Sequence, residues 1–294
     1  MQSETPYAMT LSPFHTSRWP RSIVNVADYD GGERLTLSWD LGRVSETEKK
    51  QAIRQWCLKL PELQHVRWLS LWTHVTQPLF DAACQIHDLE CFNTKGSNVK
   101  SLRAIEHLRK LRYLSIGKST KVESVEPLAA LSDLKQLHIE NFKSITDFSP
   151  LLALTGLESL SVTGSMWTRQ KVASLEPFAH MTWLQTLTVD TSSVHSLRPL
   201  ANLKNLKELG VGGRLPMQEY AWLAAKLPNT ECRWFSAYFE LASSGIGRCK
   251  KCNQNSEVML TGKGAGCACK HCDKEKVQRH EAAFHEAMER AKAE

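Results

Sequence analysis

The chain has 294 residues, a formal net charge of +6, 42% hydrophobic and 23% charged residues, and nine cysteines. That length can bury a large core and hold one to three domains, and the composition is ordinary for a soluble protein. No apolar run reaches the ~18 residues that span a bilayer. The first residues show no basic stretch followed by an apolar one, so neither a membrane span nor a secretory signal is expected.

The odd cysteine number, with several cysteines in apolar or strand-like surroundings, points to a reducing compartment, taken as cytoplasmic, and not to a disulfide framework. Up to about Gly32 the chain has little periodicity and reads as an irregular lead-in. Leu35, Leu37 and Trp39 alternate as a strand would. Ser45 followed by Glu48 fits a capping box for a helix from Glu46 to about Leu58, with Ala52, Ile53, Trp56, Cys57 and Leu60 as its apolar face. Residues 1–62 therefore read as a lead-in with a capping strand and helix, which shield the exposed end of a repeat stack.

From residue 63 to 235 one pattern recurs. An L-x-x-L-x-L slot, a short strand with one buried face, is read at Val66/Leu69/Leu71, Ile86/Leu89/Cys91, Leu111/Leu114/Ile116, Leu134/Leu137/Ile139, Leu157/Leu160/Val162, Leu184/Leu187/Val189 and Leu206/Leu209/Val211. Successive starts lie 20, 25, 23, 23, 27 and 22 residues apart. Return segments recur as well: Ser124–Leu128, Asp147–Leu151, Ser174–Phe178 and Ser196–Leu200, each with a proline suited to a first helical turn. None of these units can bury its apolar side alone, so stacking is expected. Further helices are read at Gln77–Ile86 and Met217–Leu227, and a last strand at Cys232 and Trp234.

The pattern resembles the leucine-rich repeat family, in particular its bacterial, internalin-like short repeats, over roughly Val66 to Trp234. The resemblance implies an α/β leucine-rich repeat solenoid: a curved parallel sheet with short helical or 3-10 returns. The family's usual asparagine after the strand is replaced here by His74, Thr94, Ser119, Phe142, Ser165, Ser192 and Arg214, so an irregular stack is expected. It also implies that the residues between the strand leucines face a partner. In this register the outward columns hold Trp68, Asp88, Tyr113, Gln136, Ser159, Thr186 and Glu208, then Ser70, Glu90, Ser115, His138, Ser161, Thr188 and Gly210, then Trp72, Phe92, Gly117, Glu140, Thr163, Asp190 and Gly212.

Aromatic side chains thus gather at one end: Trp68, Trp72, Phe92 and Tyr113, unless the N-terminal cap covers them. Asp88, Glu90, Glu140, Asp190 and Glu208 make the columns acidic, with no Lys or Arg in them. Arg67, Arg112, Lys135 and Lys207 stand in the neighbouring column. An acidic face repels phosphate backbones and attracts basic protein surfaces. Residues 236–248 read as a linker. In 249–294, Cys249-x2-Cys252 and Cys269-x2-Cys272 have the spacing of a four-cysteine structural zinc site, with Cys267 and His271 as competing ligands near the second pair. This module resembles a zinc ribbon, with a hairpin from Glu257 to Gly266, and a helix begins at Lys274.

No catalytic motif is present in the sequence: no G-x-S-x-G and no H-E-x-x-H. The sequence points to a non-catalytic binding protein for a basic partner such as a nuclease, and fold analogy adds an inhibitor or immunity-type role. Two other readings stand beside it. One is a nucleic-acid adaptor using the basic ribbon, where Arg248–Arg279 holds eight Lys/Arg against three acids. The other is an assembly component that oligomerises through the terminal helix.

Overall fold

The structure is a computed structural model that describes residues 12–39, 44–165, 167–241 and 247–294. It divides into two compact units, Met1–Gln170 and Lys171–Glu294. No described helix is long and apolar enough to cross a membrane.

In the first unit six parallel strands pair in sequence order: β1 (Arg34–Leu37), β2 (Trp68–Val75), β3 (Cys91–Ser97), β4 (Tyr113–Ile116), β5 (Gln136–Glu140) and β6 (Ser159–Thr163). The register sets Leu35, Leu69, Phe92, Leu114, Leu137 and Leu160 side by side. All six are buried. A second row runs through Leu37, Leu71, Thr94, Ile116, Ile139 and Val162. Side chains two apart along a strand share a face, so both rows lie on the core side. Each buried Leu or Phe contributes roughly 1.5–3 kcal/mol of apolar burial.

The chain returns under the core through 3-10 turns at Arg103–His107, Glu126–Ala130 and Ser149–Ala153, the last two with proline in the first turn as expected. At the N-terminal end β1 extends the parallel sheet beyond β2. Helix α1 (Glu46–Lys59) opens on a complete capping box, with Ser45 Oγ accepting from Glu48 N at 3.3 Å and Ser45 N donating to Glu48 Oε2 at 2.8 Å. Trp56 of α1 is fully buried and donates its indole N–H to Val24 O at 2.7 Å. Helix α2 (Gln77–Ala83) is shorter than expected.

One expectation is corrected by the register. The third strand slot is not Ile86/Leu89/Cys91 but Leu89/Phe92/Thr94, since Phe92 pairs with Leu69 and Leu114. Val66 to Leu89 is then 23 residues and Leu89 to Leu111 is 22, in place of the uneven 20 and 25. Thr94 fits a core row because its methyl fills the space while its hydroxyl faces Ser115 O at 3.5 Å. The asparagine ladder is replaced piecemeal. Ser97 and Ser119 share a hydroxyl hydrogen bond at 2.6 Å, and buried Gln170 donates to Phe142 O and Ile145 O at 3.1 and 2.8 Å.

The second unit repeats the same plan. Strands β7 (Thr186–Val189) and β8 (Glu208–Gly210) pair in parallel with Leu187 opposite Leu209. Their returns are the one-turn helix α3 (Glu176–Ala179) and a 3-10 turn at Arg198–Asn202. Helix α4 (Met217–Lys226) closes the repeats. Cys232 and Trp234 do not form the expected last strand; only Glu231 bridges to Glu208. Of the expected linker, Tyr238–Glu240 form β9, while residues 242–246 lie outside the described residues. β9 joins β10 (Glu257–Leu260) and β11 (Cys267–Cys269) in an antiparallel sheet, and helix α5 (Lys274–Ala293) ends the chain.

Candidate functional site

Two places hold side chains that the repeat does not need for stacking. The first is the open face of the sheet in the first unit, the side opposite the leucine rows. Because the register is fixed by backbone pairing, its columns can be read directly. Arg34, Trp68, Cys91, Tyr113, Gln136 and Ser159 form one, and Thr36, Ser70, Asn93, Ser115, His138 and Ser161 the next. Glu140 pairs with Thr163 at the strand ends.

Trp68, Trp72, Tyr113, Gln136, His138 and Glu140 therefore stand where the sequence places them, each half-buried. Asp88, Glu90 and Phe92 do not. Phe92 is 0% exposed and points into the core, with its ring centroid 5.8 Å from that of Phe80. Asp88 sits in the turn before β3 and bridges Arg67 at 2.7 Å and Lys110 at 2.5 Å. These hydrogen bonds, Lys110 first and Arg67 second, hold the Asp88 carboxyl below its ordinary 3.8. Glu90 belongs to the row just before the strands, beside Arg67, Arg112 and Lys135, whose carbonyls and amides link one repeat to the next. Sequence reasoning missed Cys91, Asn93 and Lys95 on this side. The even 23- and 22-residue spacing is the signal that finds them.

The correction changes the electrostatics. Two of the expected acids leave the open face of the first unit, and Arg34 and Lys95 join Glu140. Both cations lie on aromatic rings: Arg34 at 4.6 Å from the Trp68 centroid and Lys95 Nζ at 5.2 Å from that of Trp72. Trp19 of the lead-in leans on Trp68 at 5.6 Å, and Tyr113 lies 6.2 Å beyond it. Among the described residues of the cap, Trp19 and Arg34 lie against Trp68. A cavity of about 180 Å³ opens between Trp19 and Trp72, floored by Thr36 and Ser38. Among the described residues, Thr36 Oγ1 and Trp19 Nε1 are buried there without a hydrogen-bond partner.

The floor is polar but tightly held. Asn93 donates to Ser70 Oγ at 3.0 Å. Ser115 Oγ and His138 Nδ1 are 3.4 Å apart, longer than the ~2.6–3.2 Å of a working nucleophile–base pair. Burial lowers the His138 pKa from its ordinary 6.5, which favours the neutral ring. In the second unit Asp190 and Glu208 lie half-buried at the strands, and Asp190 accepts from Ser192 N at 2.9 Å. Trp167, beyond β6, is 90% exposed, and no periodic signal singles it out.

The second place is the four-cysteine cluster of the second unit. Sγ atoms of Cys249, Cys252, Cys269 and Cys272 all lie within 4.8 Å of one another. Cys249 and Cys272 sulfurs are 4.0 Å apart and those of Cys252 and Cys269 3.7 Å. Tetrahedral zinc with Zn–S of ~2.3 Å requires sulfurs about 3.8 Å apart, and a disulfide requires ~2.05 Å. The cluster fits the metal and not the disulfide.

Each C-x2-C turn aims an amide at sulfur: Lys251 N to Cys249 Sγ at 3.4 Å and Cys272 N to Cys269 Sγ at 3.3 Å. Asn253 takes the left-handed backbone, φ 61°, that closes the first turn. The Cys272 amide, with help from Ser256, lowers the Cys269 thiol to about 6, while contact with Cys252 and burial push Cys272 up to about 12. Four adjacent thiols cannot all ionise unless a cation sits among them. Among the described residues Cys267 and His271 are not in the cluster. Two of the cations of this module are paired locally: Lys251 bridges Asp273 at 3.1 Å and Lys270 bridges Glu240 at 2.5 Å.

Compared by sequence, the chain matches no protein-family model and no curated protein. Among solved structures it is similar to internalin C2 of Listeria monocytogenes, at 24% identity and a TM-score of 0.48 over 61% of this chain and 79% of that one. It is also similar to an internalin, InlF, of the same species, at 18% identity and a TM-score of 0.40 over 67% and 65% of the two chains. A leucine-rich repeat protein of Leptospira interrogans matches at 14% identity and a TM-score of 0.43 over 72% and 57%. The leucine-rich repeat architecture stands on this chain's own strand register.

Proposed function

We propose that the protein is a binding scaffold that holds a partner protein on the open face of its first unit. The observation that carries this is the row of half-buried aromatics, Trp68, Trp72 and Tyr113, on a face that the parallel sheet makes rigid. Side chains fixed by sheet and neighbour lose little entropy on binding, and Trp and Tyr supply large contact area with a polar handle. Gln136, His138 and Glu140 extend the face with groups that hydrogen-bond and discriminate. Arg34, Lys95 and Glu140 give it mixed sign, so the aromatics and not net charge select the partner. In this reading the four thiolates of Cys249, Cys252, Cys269 and Cys272 hold a structural zinc ion; a closed four-thiolate shell leaves no position for a reacting water.

The test is affinity capture from the native source with the intact chain, with Trp72→Ser/Tyr113→Ser, and with Glu158→Gln as a control outside the face. A partner retained by the intact chain and the control but lost from the double variant supports the reading. Equal recovery by all three contradicts it. For the metal, cobalt substitution is expected to give one tetrahedral thiolate-bound ion per chain, and the absence of sulfur-to-cobalt absorption would contradict a four-thiolate site.

A further inference from the structure

Helix α5 leaves the cysteine cluster directly: Cys272 is the last ligand and the helix begins at Lys274. Asp273 ties the junction, accepting from Cys269 N at 3.0 Å and from Lys251 Nζ at 3.1 Å. From there α5 runs 20 residues and packs along α4, the helix that closes the repeats. Val277, Phe284 and Ala291 recur every seven residues, one side of a helix, and all three are buried. Helix α4 buries Tyr220, Ala221, Leu223 and Ala224; of these Tyr220 turns to the repeat end, its hydroxyl donating to Gly212 O. At the far end Trp222 Nε1 donates to Glu294 Oε2 at 2.7 Å, and the Arg198 guanidinium lies 4.6 Å from the Trp222 centroid.

What fixes the near end is small. The ribbon core is Val258, Leu260, Ala268 and Val277, with Tyr238 and Ala265 packed against it. A core of that size does not order a module by itself, and small modules of this kind rely on metal. One of its four buried residues, Val277, belongs to α5 itself. Two backbone ties hold the other end of its hairpin. Thr261 N donates to Ala237 O at 2.8 Å, and Lys263 N to Leu215 O at 2.7 Å. They hold the hairpin in place, while α5 meets the ribbon through the Cys269–Asp273 turn, Val277 and Lys276, whose Nζ donates to Cys267 O at 3.4 Å.

We propose that the four-thiolate site is a latch: metal in the site holds α5 over α4, and loss of metal frees α5 and uncovers the side of α4 on which α5 packs. This goes beyond a structural zinc and holds only if the site binds metal. The ties set the expected order of events. The Cys269–Asp273 turn loosens first, Val277 leaves the ribbon core, and the α4–α5 contact, then anchored mainly through Phe284, Ala291 and Trp222, opens at low energy as a local unit. The repeats beneath keep their own hydrogen bonds, Lys207 N to Gln185 O and Glu231 N to Lys207 O among them.

The test is hydrogen–deuterium exchange on the full chain, zinc-loaded and after removal of zinc with a thiol-displacing mercurial and chelator, with metal content measured in parallel. On removal, exchange in 217–226 and 274–293 is expected to rise by about tenfold or more while 184–210 changes little. Phe284→Asp opens the latch without touching a ligand. It is expected to give the same α4 exchange with one zinc still bound. Failure to bind zinc at all would overturn both the metal reading and the latch. Zinc binding with no change in exchange on removal, or with loss of protection throughout 171–294, would overturn the latch alone.

Discussion

The repeats of the first unit and the ribbon of the second solve the same problem in opposite ways. In the repeats, order comes from number: six strands set six apolar side chains in one row, and each repeat is covered by its neighbours. In the cysteine module, three short strands and α5 share a core of four buried residues beside four cysteine sulfurs within 4.8 Å of one another, and on the proposed reading the order comes from a metal held by those sulfurs. The difference teaches where each region is vulnerable. A repeat stack tolerates polar variation on its open face and fails through its core. On the proposed metal reading, the cysteine module tolerates change in its core poorly and fails at once if its metal is lost.

Metal removal should break the comparison most visibly. Structural zinc contributes apparent free energies of about 10–16 kcal/mol in small finger peptides. Cys252→Ser is therefore expected to abolish zinc binding and the ribbon's order, while the exchange protection of strands in 63–163 stays as it was. Loss of protection in those strands as well would mean that the repeats are not self-sufficient.

The pH responses sharpen the contrast within the first unit. His138 is held neutral by burial, with its pKa below the ordinary 6.5. The unfolded chain takes up that proton first, so stability should fall as pH drops below about 6.5, and His138→Gln should flatten that fall. Asp88 has the opposite chemistry. Its carboxyl lies below the usual 3.8 because Lys110 and Arg67 bond it. The stability it gives is present above the unfolded carboxyl value and is lost as pH falls through the lower folded one. Asp88→Asn should remove that acid-limb response in urea unfolding curves, and an unchanged acid limb would show that the Arg67–Asp88–Lys110 bridge contributes nothing.

The smallest expected effect is at Thr36. Its hydroxyl is buried and unpartnered, and an unmade hydrogen bond costs about 1–3 kcal/mol. Thr36→Val keeps the shape and should leave stability unchanged or raise it by up to about 1 kcal/mol in denaturant titration. A clear loss of stability would mean that the hydroxyl has a partner.

Much of the fold is legible in the sequence, and the failures have physical reasons. The leucine rows of strands β4 to β8, the capping box at Ser45 and the four-cysteine cluster all derive from spacing, because each depends on local periodicity or on fixed ligand distances. The third strand escapes such a reading because Ile86, Leu89 and Cys91 also satisfy an apolar pattern. The real slot ends in Thr94, a residue whose methyl serves as core while its hydroxyl is met by a neighbouring carbonyl. A slip of three residues changes strand parity, so it turns Phe92 outward and brings Asp88 and Glu90 onto the face. Those two are among the five acids from which the expected acidity is read, Glu140, Asp190 and Glu208 being the others. The position of Trp19 against Trp68 is not legible, since the lead-in has no periodicity to read.

The division between core rows and open face is tested most directly by equilibrium denaturation of Phe92→Ala beside Trp72→Ala. Phe92 is fully buried, so its truncation should cost about 3–5 kcal/mol. Trp72 is half-buried on the other side, so its truncation should cost far less and leave the cooperative transition intact. A stable Phe92→Ala protein, with Trp72→Ala the variant that unfolds, would contradict the register and with it the face on which a partner is proposed to sit.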